Sequence, residues 1–139
     1  MEECGQGWER NGNNCYLWST EKKTWADAEH FCQGEGGHLA SVPSSAIEDY
    51  VKEGLQRHNI GLAWLGGNDI EKEGTWKWAD CTPWNYTFWA SSEPNNLGRV
   101  EDCLTQLASP AQFGNYLHWK WNDGNCSYKF KFLCSKRIC

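Results

Sequence analysis

Glu93-Pro94-Asn95, Glu101-Asp102-Cys103 and Trp121-Asn122-Asp123, followed by Cys126, form the stretch from which the rest of the chain is best read. Within it, Glu93, Asn95, Glu101, Asn122 and Asp123 supply three carboxylates and two amides, all oxygen donors. Hard Ca2+ takes about six to eight such oxygens at about 2.3–2.6 Å, and oxygen ligands suit it better than they suit a transition metal. A Zn2+ site would need His or free Cys. His30, His38, His58 and His118 show no ligand spacing. Taken one at a time, each acid is most simply a solvated surface group. From about Asp80 to Asp102 the chain has little periodicity, and a loop of that length in a compact domain is often functional.

Working outward, the segment from Cys4 to Trp18 carries Trp8, Tyr16, Leu17 and Trp18 around Asn11-Gly12-Asn13-Asn14, which predicts two short strands joined by a turn. Thr24 with Asp27 makes a capping-box arrangement ahead of Trp25, Ala28, Phe31 and Cys32, a helical spacing that stops at Gly34. A second helix is predicted from Ser45 and Glu48 as its capping box, with Ile47, Tyr50, Val51 and Leu55 as an apolar stripe ending near His58-Asn59. Beyond Ala63 the pattern changes to short aromatic runs. Trp64-Leu65-Gly66, Thr75 to Trp78, Trp119 to Trp121 and Tyr128 to Cys134 read as strands. Trp64, Trp76, Trp78 and Trp121 alternate with polar residues and are assigned to the core, while Trp84, Trp89 and Trp119 fit either a loop anchor or a sugar-facing ring. Strands, two helices, then strands and a long loop give an α+β plan.

A length of 139 residues suits one domain. Eight Cys and no apolar run of about 18 residues point to an oxidising compartment and to no membrane insertion by this domain. The formal charge of -5 argues against nucleic acid, whose binding needs basic side chains. Met1-Glu2-Glu3-Cys4 holds neither a basic nor an apolar stretch that would direct secretion, so a mature protein or an ectodomain fragment is expected. Asn85-Tyr86-Thr87 and Asn125-Cys126-Ser127 are glycosylation candidates at Asn85 and Asn125. There is no nucleophile beside a base and no phosphate loop. A glycosidase would need one carboxyl group protonated near neutral pH, so no enzyme is expected.

In this order and spacing, Trp64-Leu65-Gly66-Gly67, Glu93-Pro94-Asn95, Glu101-Asp102-Cys103, Trp121-Asn122-Asp123, Cys126 and Cys134 make the chain resemble the C-type lectin-like domain from Cys4 to Cys134. Eight Cys allow on the order of 100 pairings. The resemblance implies three of them, Cys4-Cys15, Cys32-Cys134 and Cys103-Cys126, and leaves Cys81 and Cys139 over, for each other or for another chain. It implies two small antiparallel sheets, two helices and a long calcium-binding loop. It also implies a principal Ca2+ held by Glu93, Asn95, Glu101, Asn122 and Asp123. An auxiliary Ca2+ would be held by Asp69, Glu73, Asn96 and Asp102 with Glu101 shared, Asn96 standing where aspartate is usual.

The same resemblance implies how sugar is held. Two neighbouring hydroxyls would each place an oxygen on the metal, donate to Glu93 or Glu101 and accept from Asn95 or Asn122. Glu-Pro-Asn implies mannose-type sugars (mannose, fucose, glucose, N-acetylglucosamine) and disfavours galactose. The expected partners are glycans of glycoproteins or microbial surfaces, met outside the cell by a secreted protein or a receptor ectodomain. Weak single-site binding implies an oligomer, through Cys81 or Cys139. The alternative is a domain of the same fold that recognises a protein or ice without binding sugar.

Overall fold

The computed structural model describes residues 4–80, 82–85, 87, 101–107 and 121–137. Its elements, in chain order, are β1 (Glu9–Asn11), β2 (Asn14–Trp18), α1 (Trp25–Gly34), β3 (His38–Leu39), α2 (Ser45–Arg57), β4 (Leu62–Asn68), β5 (Lys77–Trp78), β6 (Glu101–Leu107), β7 (Trp121–Asn125) and β8 (Lys131–Arg137).

The strands run in the order β1-β2-β8-β4-β6-β7, with β3 also on β8 and β5 on β4. The two antiparallel sheets expected from the resemblance are the two halves of this path. They meet where β4 and β8 pair in parallel, Ala63 opposite Lys131 and Trp64 opposite Phe132. One half joins an N-terminal strand to the last strand, because β2 lies antiparallel to β8 with Tyr16 opposite Ser135. The other half, β4-β6-β7, carries Asn122 and Asp123.

Both helices start where a hydroxyl satisfies an otherwise orphaned N–H. Thr24 Oγ1 accepts from Asp27 N at 3.2 Å. In α2 the cap is Ser44, one residue earlier than the Ser45 expected, and its Oγ accepts from Ile47 N at 3.3 Å. The shift frees Glu48 from a capping role. The buried residues of α2 are Glu48, Val51, Gly54 and Leu55, so Glu48 lies on the core face of the helix. The helix stops past Arg57 with Asn59 in the left-handed region at φ 56°, and Ile60 N closes back onto Leu55 O at 2.8 Å.

Two of the expected strands depart from their sequence patterns, β5 being shorter and β8 lying three residues later. Thr75 N donates to Lys72 O at 2.9 Å in a turn beside Gly74 at φ 84°, so only Lys77–Trp78 pairs with β4. Asn125 turns the chain in the same way, its carbonyl accepting from Tyr128 N at 3.0 Å and its Oδ1 from Ser127 N at 3.0 Å. That turn delays β8 to Lys131. The expected strand at Trp119 begins at Trp121 among the described residues.

The core has two clusters. One gathers Tyr16, Trp18, Val51, Leu55, Leu65, Trp78, Leu104 and Trp121 between α2 and the sheet. The other packs Trp25, Ala28, Leu39, Trp64 and Phe132 around Cys32, Cys103 and Cys134. Two of the buried indoles place their N–H groups on carbonyls: Trp25 Nε1 donates to Leu65 O at 2.8 Å and Trp64 Nε1 to Lys23 O at 3.0 Å. Cys4-Cys15, Cys32-Cys134 and Cys103-Cys126 are all bonded, as the resemblance implied. Cys81 and Cys139 lie outside the described residues.

Candidate cation site

Three segments that are remote in sequence converge at one edge of the β4-β6-β7 half. Asp69 directly follows β4, Glu73 lies in the turn that leads to β5, and Asp102 is the second residue of β6. The backbone locks two of them together: Asp69 N donates to Asp102 O at 3.0 Å, and Asn68 lies opposite Cys103. Gly74 N donates to Asp69 Oδ2 at 2.8 Å, fixing the turn on that carboxylate. One oxygen from each of Asp69, Glu73 and Asp102 then falls within 4.8 Å of the other two.

Three carboxylates so close together repel one another when ionised. Burial, and after it the neighbouring Asp102, push the Asp69 carboxyl up, although the Gly74 N–H works against that shift. Glu73 sits at the exposed rim, yet its hydrogen bond with Asp102 pushes it up to about 7. Asp69 Oδ1 and Asp102 Oδ1 are buried and have no hydrogen-bond partner among the described residues. A buried oxygen left so costs about 1–3 kcal/mol. An all-oxygen acidic donor set of this kind fits a hard divalent cation and would be relieved by one.

The neighbouring strand β7 carries two more of the residues read from the sequence. Asn122 lies opposite Thr105, and Thr105 Oγ1 donates to Asn122 O at 2.9 Å. Asn122 Oδ1 is buried without a partner among the described residues, and Asp123, opposite Leu104, is fully buried. The pairing is irregular between Glu101 and Cys103, near the disulfide from Cys103 to Cys126. Glu93, Asn95 and Asn96 lie outside the described residues, as does the side chain of Glu101. Of the sequence-derived set, the described residues therefore bring Asp69, Glu73 and Asp102 into one cluster and put Asn122 and Asp123 on the strand paired with β6.

Two further side chains bear on this edge. Trp84, open to either reading in the sequence, is half-buried, with its ring 4.6 Å from Trp78 and 5.6 Å from Trp121. It anchors the start of the long loop. Trp89 and Trp119 lie outside the described residues. Glu48, read from the sequence only as a capping residue, is buried with Oε1 accepting from Trp121 Nε1 at 2.9 Å. Its sequence signal was its place three and seven residues before Val51 and Leu55, on the apolar face of α2.

Elsewhere, a polar groove of about 470 Å3 runs along Tyr16, His38, Ser41, Asp80, Thr82 and Lys136, away from the acidic cluster. Its acid is committed, since Asp80 Oδ2 accepts from Ser41 Oγ at 2.8 Å and Asp80 Oδ1 from Thr82 N at 3.0 Å. Of the glycosylation candidates, Asn85 is exposed, whereas Asn125 uses its Oδ1 to accept from Ser127.

Known proteins resemble the chain in sequence and in fold. The family model for the lectin C-type domain matches residues 21–136. A C-type lectin mannose-binding isoform from Oxyuranus scutellatus is 38% identical over 141 residues, covering 97% of this chain and 84% of the relative. Among solved structures, the human scavenger receptor C-type lectin carbohydrate-recognition domain superposes with a TM-score of 0.82 at 29% identity, covering 97% of this chain and 99% of that one. A calcium-independent type II antifreeze protein superposes with a TM-score of 0.81, also at 29% identity, covering 99% of this chain and 96% of that one. Matched along most of its length by the family model and along nearly all of it by such relatives, the chain belongs to the C-type lectin domain family.

Proposed function

We propose that the chain is a calcium-dependent lectin for mannose-type sugars. In this reading Glu93, Asn95, Glu101, Asn122 and Asp123 hold the principal Ca2+ together with the sugar. Asp69, Glu73, Asn96 and Asp102, sharing Glu101, hold an auxiliary ion. The observation that carries the proposal is the convergence of Asp69, Glu73 and Asp102 within 4.8 Å, with buried oxygens of Asp69 and Asp102 that have no partner among the described residues. As a C-type lectin domain the chain is a binding protein and not an enzyme.

Ca2+, when bound, would supply a positive centre able to take two vicinal hydroxyl oxygens as ligands. Glu93 and Glu101 would each accept a hydrogen bond from one hydroxyl, Asn95 and Asn122 would each donate an amide N–H to one, and Asp123 would supply a further carboxylate to the ion. The acid and amide order of Glu93-Pro94-Asn95 favours mannose, fucose, glucose and N-acetylglucosamine over galactose. The name of the Oxyuranus relative, a mannose-binding isoform, supports that choice. A single such contact is worth about 4 kcal/mol, a millimolar affinity, so glycans outside the cell would be held by several copies, joined through Cys81 or Cys139.

The test is retention on immobilised mannose and galactose, in Ca2+ and in excess EDTA. Retention on mannose alone, released by EDTA, is the expected result. Asp69→Asn should remove much of the calcium-induced rise in melting temperature, which for a ligand at 100 times its Kd corresponds to about 2.7 kcal/mol. Acid should release the sugar, because protons compete with the cation for Glu93, Glu101 and Asp123. Failure of a multimeric sample to bind either sugar in Ca2+ would favour recognition of a protein or of ice. That second reading is supported by the likeness to a calcium-independent type II antifreeze protein.

A further inference from the structure

We propose that Glu48 is a positioning residue for the cation site: by holding the Trp121 indole from α2, it fixes the start of β7 and with it Asn122 and Asp123. The inference rests on the calcium reading above and assigns a role to a residue on a different element from every candidate ligand.

Among the described residues, polar contacts from both the sheet and the helix hold the start of β7. From the sheet, Thr105 Oγ1 donates to Asn122 O at 2.9 Å. From the helix, Glu48 Oε1 accepts from Trp121 Nε1 at 2.9 Å in a buried bond. Around that bond the Trp121 ring packs edge-on to Trp78 at 5.5 Å and tilted to Trp84 at 5.6 Å. Apolar packing tolerates small rotations of an indole, whereas a buried hydrogen bond fixes its direction. Because Asn122 and Asp123 directly follow Trp121, a rotation there is passed along the backbone to both. Groups that orient ligands from outside a metal shell commonly alter affinity by about 10- to 100-fold when lost.

Below about pH 7 the form of Glu48 that does this is the neutral acid. Its Oε2 is buried with no partner among the described residues. The surrounding groups are Gln106 on β6 and Trp121 on β7, both uncharged hydrogen-bond partners, with Lys52 and Asp49 opposing each other from α2 itself. Burial outweighs them and pushes the carboxyl up from 4.5 to about 7. An amide imitates the neutral acid in shape and keeps an oxygen for Trp121, so Glu48→Gln should preserve the anchor while Glu48→Ala removes it.

Calorimetric titration of the full chain with Ca2+ alone, at about pH 6, where the acid is neutral, tests the proposal. Glu48→Ala should weaken Ca2+ about tenfold, and Glu48→Gln should stay within about twofold of the wild type. Trp121→Phe keeps a ring but lacks the N–H, and should weaken Ca2+ about as much as Glu48→Ala, so the anchor can be tested even if that variant fails to fold. Folded variants with lowered melting temperature but wild-type Ca2+ affinity would make Glu48 merely structural and overturn the proposal. So would a Glu48→Gln variant as weak as Glu48→Ala. A wild type that takes up no Ca2+ would instead overturn the calcium reading, and this inference with it.

Discussion

A carboxyl group at 1% exposure ties the stability of this domain to pH. Glu48 has its folded-state value raised to about 7, chiefly by burial, against 4.5 ordinarily. Between those values the unfolded chain has released its proton and the folded chain has not. Stability is therefore fully supported below about 4.5 and declines as pH rises towards 7. At about 1.4 kcal/mol per unit, the decline amounts to about 3 kcal/mol. Glu73 is raised into the same range, so the informative quantity is the difference between wild type and Glu48→Gln. Urea denaturation without calcium at about pH 5 and about pH 8 should show the wild type losing about 3 kcal/mol more than the variant across that interval. Equal slopes would mean that Glu48 ionises without penalty. Glu9 acts with the opposite sign and outside this window. Arg57 above all, helped by Tyr50 and Trp18, holds it down to about 2, so its contribution is present above about 4.5 and fades as pH falls towards 2.

At the level of elements, α2 is seated by a gap in its own surface. Gly54 faces the Trp18 ring, and a Cβ there would lie 2.1 Å from Trp18 Cη2. Trp18 cannot easily move, because its Nε1 donates to Glu9 Oε1 at 3.1 Å, and Glu9 also receives Tyr50 Oη and Arg57 Nη1 from α2 at 2.7 Å each. Alanine is a better helix former than glycine by about 1 kcal/mol, so Gly54→Ala would stabilise an isolated helix. In this domain the overlap with a fixed indole should dominate, giving a net loss of about 1–3 kcal/mol by thermal or urea unfolding. A variant as stable as the wild type would show that Trp18 yields freely. The same helix shows how far local sequence can be read. The apolar stripe Ile47, Tyr50, Val51 and Leu55 and the end near His58 were legible because periodicity and caps are local signals. The shift of the cap from Ser45 to Ser44 was not, since two adjacent serines offer equivalent hydroxyls and only tertiary packing of Glu48 under Trp121 separates them. β5 came out short and β8 starts late for a related reason, as turns at Gly74 and Asn125 compete with pairing through hydrogen bonds that a strand pattern does not encode.

For the whole molecule, legibility divides along another line. Asp69, Glu73 and Asp102 span 34 residues, and no periodicity joins them. Their place in one cluster was reached through resemblance, as was the pairing of the Cys residues, because proximity across a fold is a property of topology. The topology also ranks the disulfides. Cys32-Cys134 joins α1 to β8 across 102 residues, whereas Cys4-Cys15 closes only 11. In the chain-entropy account a cross-link removes more freedom from the unfolded chain the longer its loop, about 4–5 kcal/mol for a loop near 100 residues and about 3 or less for a short one. For a domain of this size about 4–5 kcal/mol corresponds to roughly 15 °C in melting temperature. The double variant Cys32→Ser with Cys134→Ser should therefore melt well below the double variant Cys4→Ser with Cys15→Ser, when both are scanned in excess Ca2+ to hold the cation site constant. A reversed order would mean that the N-terminal hairpin, with Glu9 clasped to Arg57, stabilises the folded state beyond what loop length accounts for.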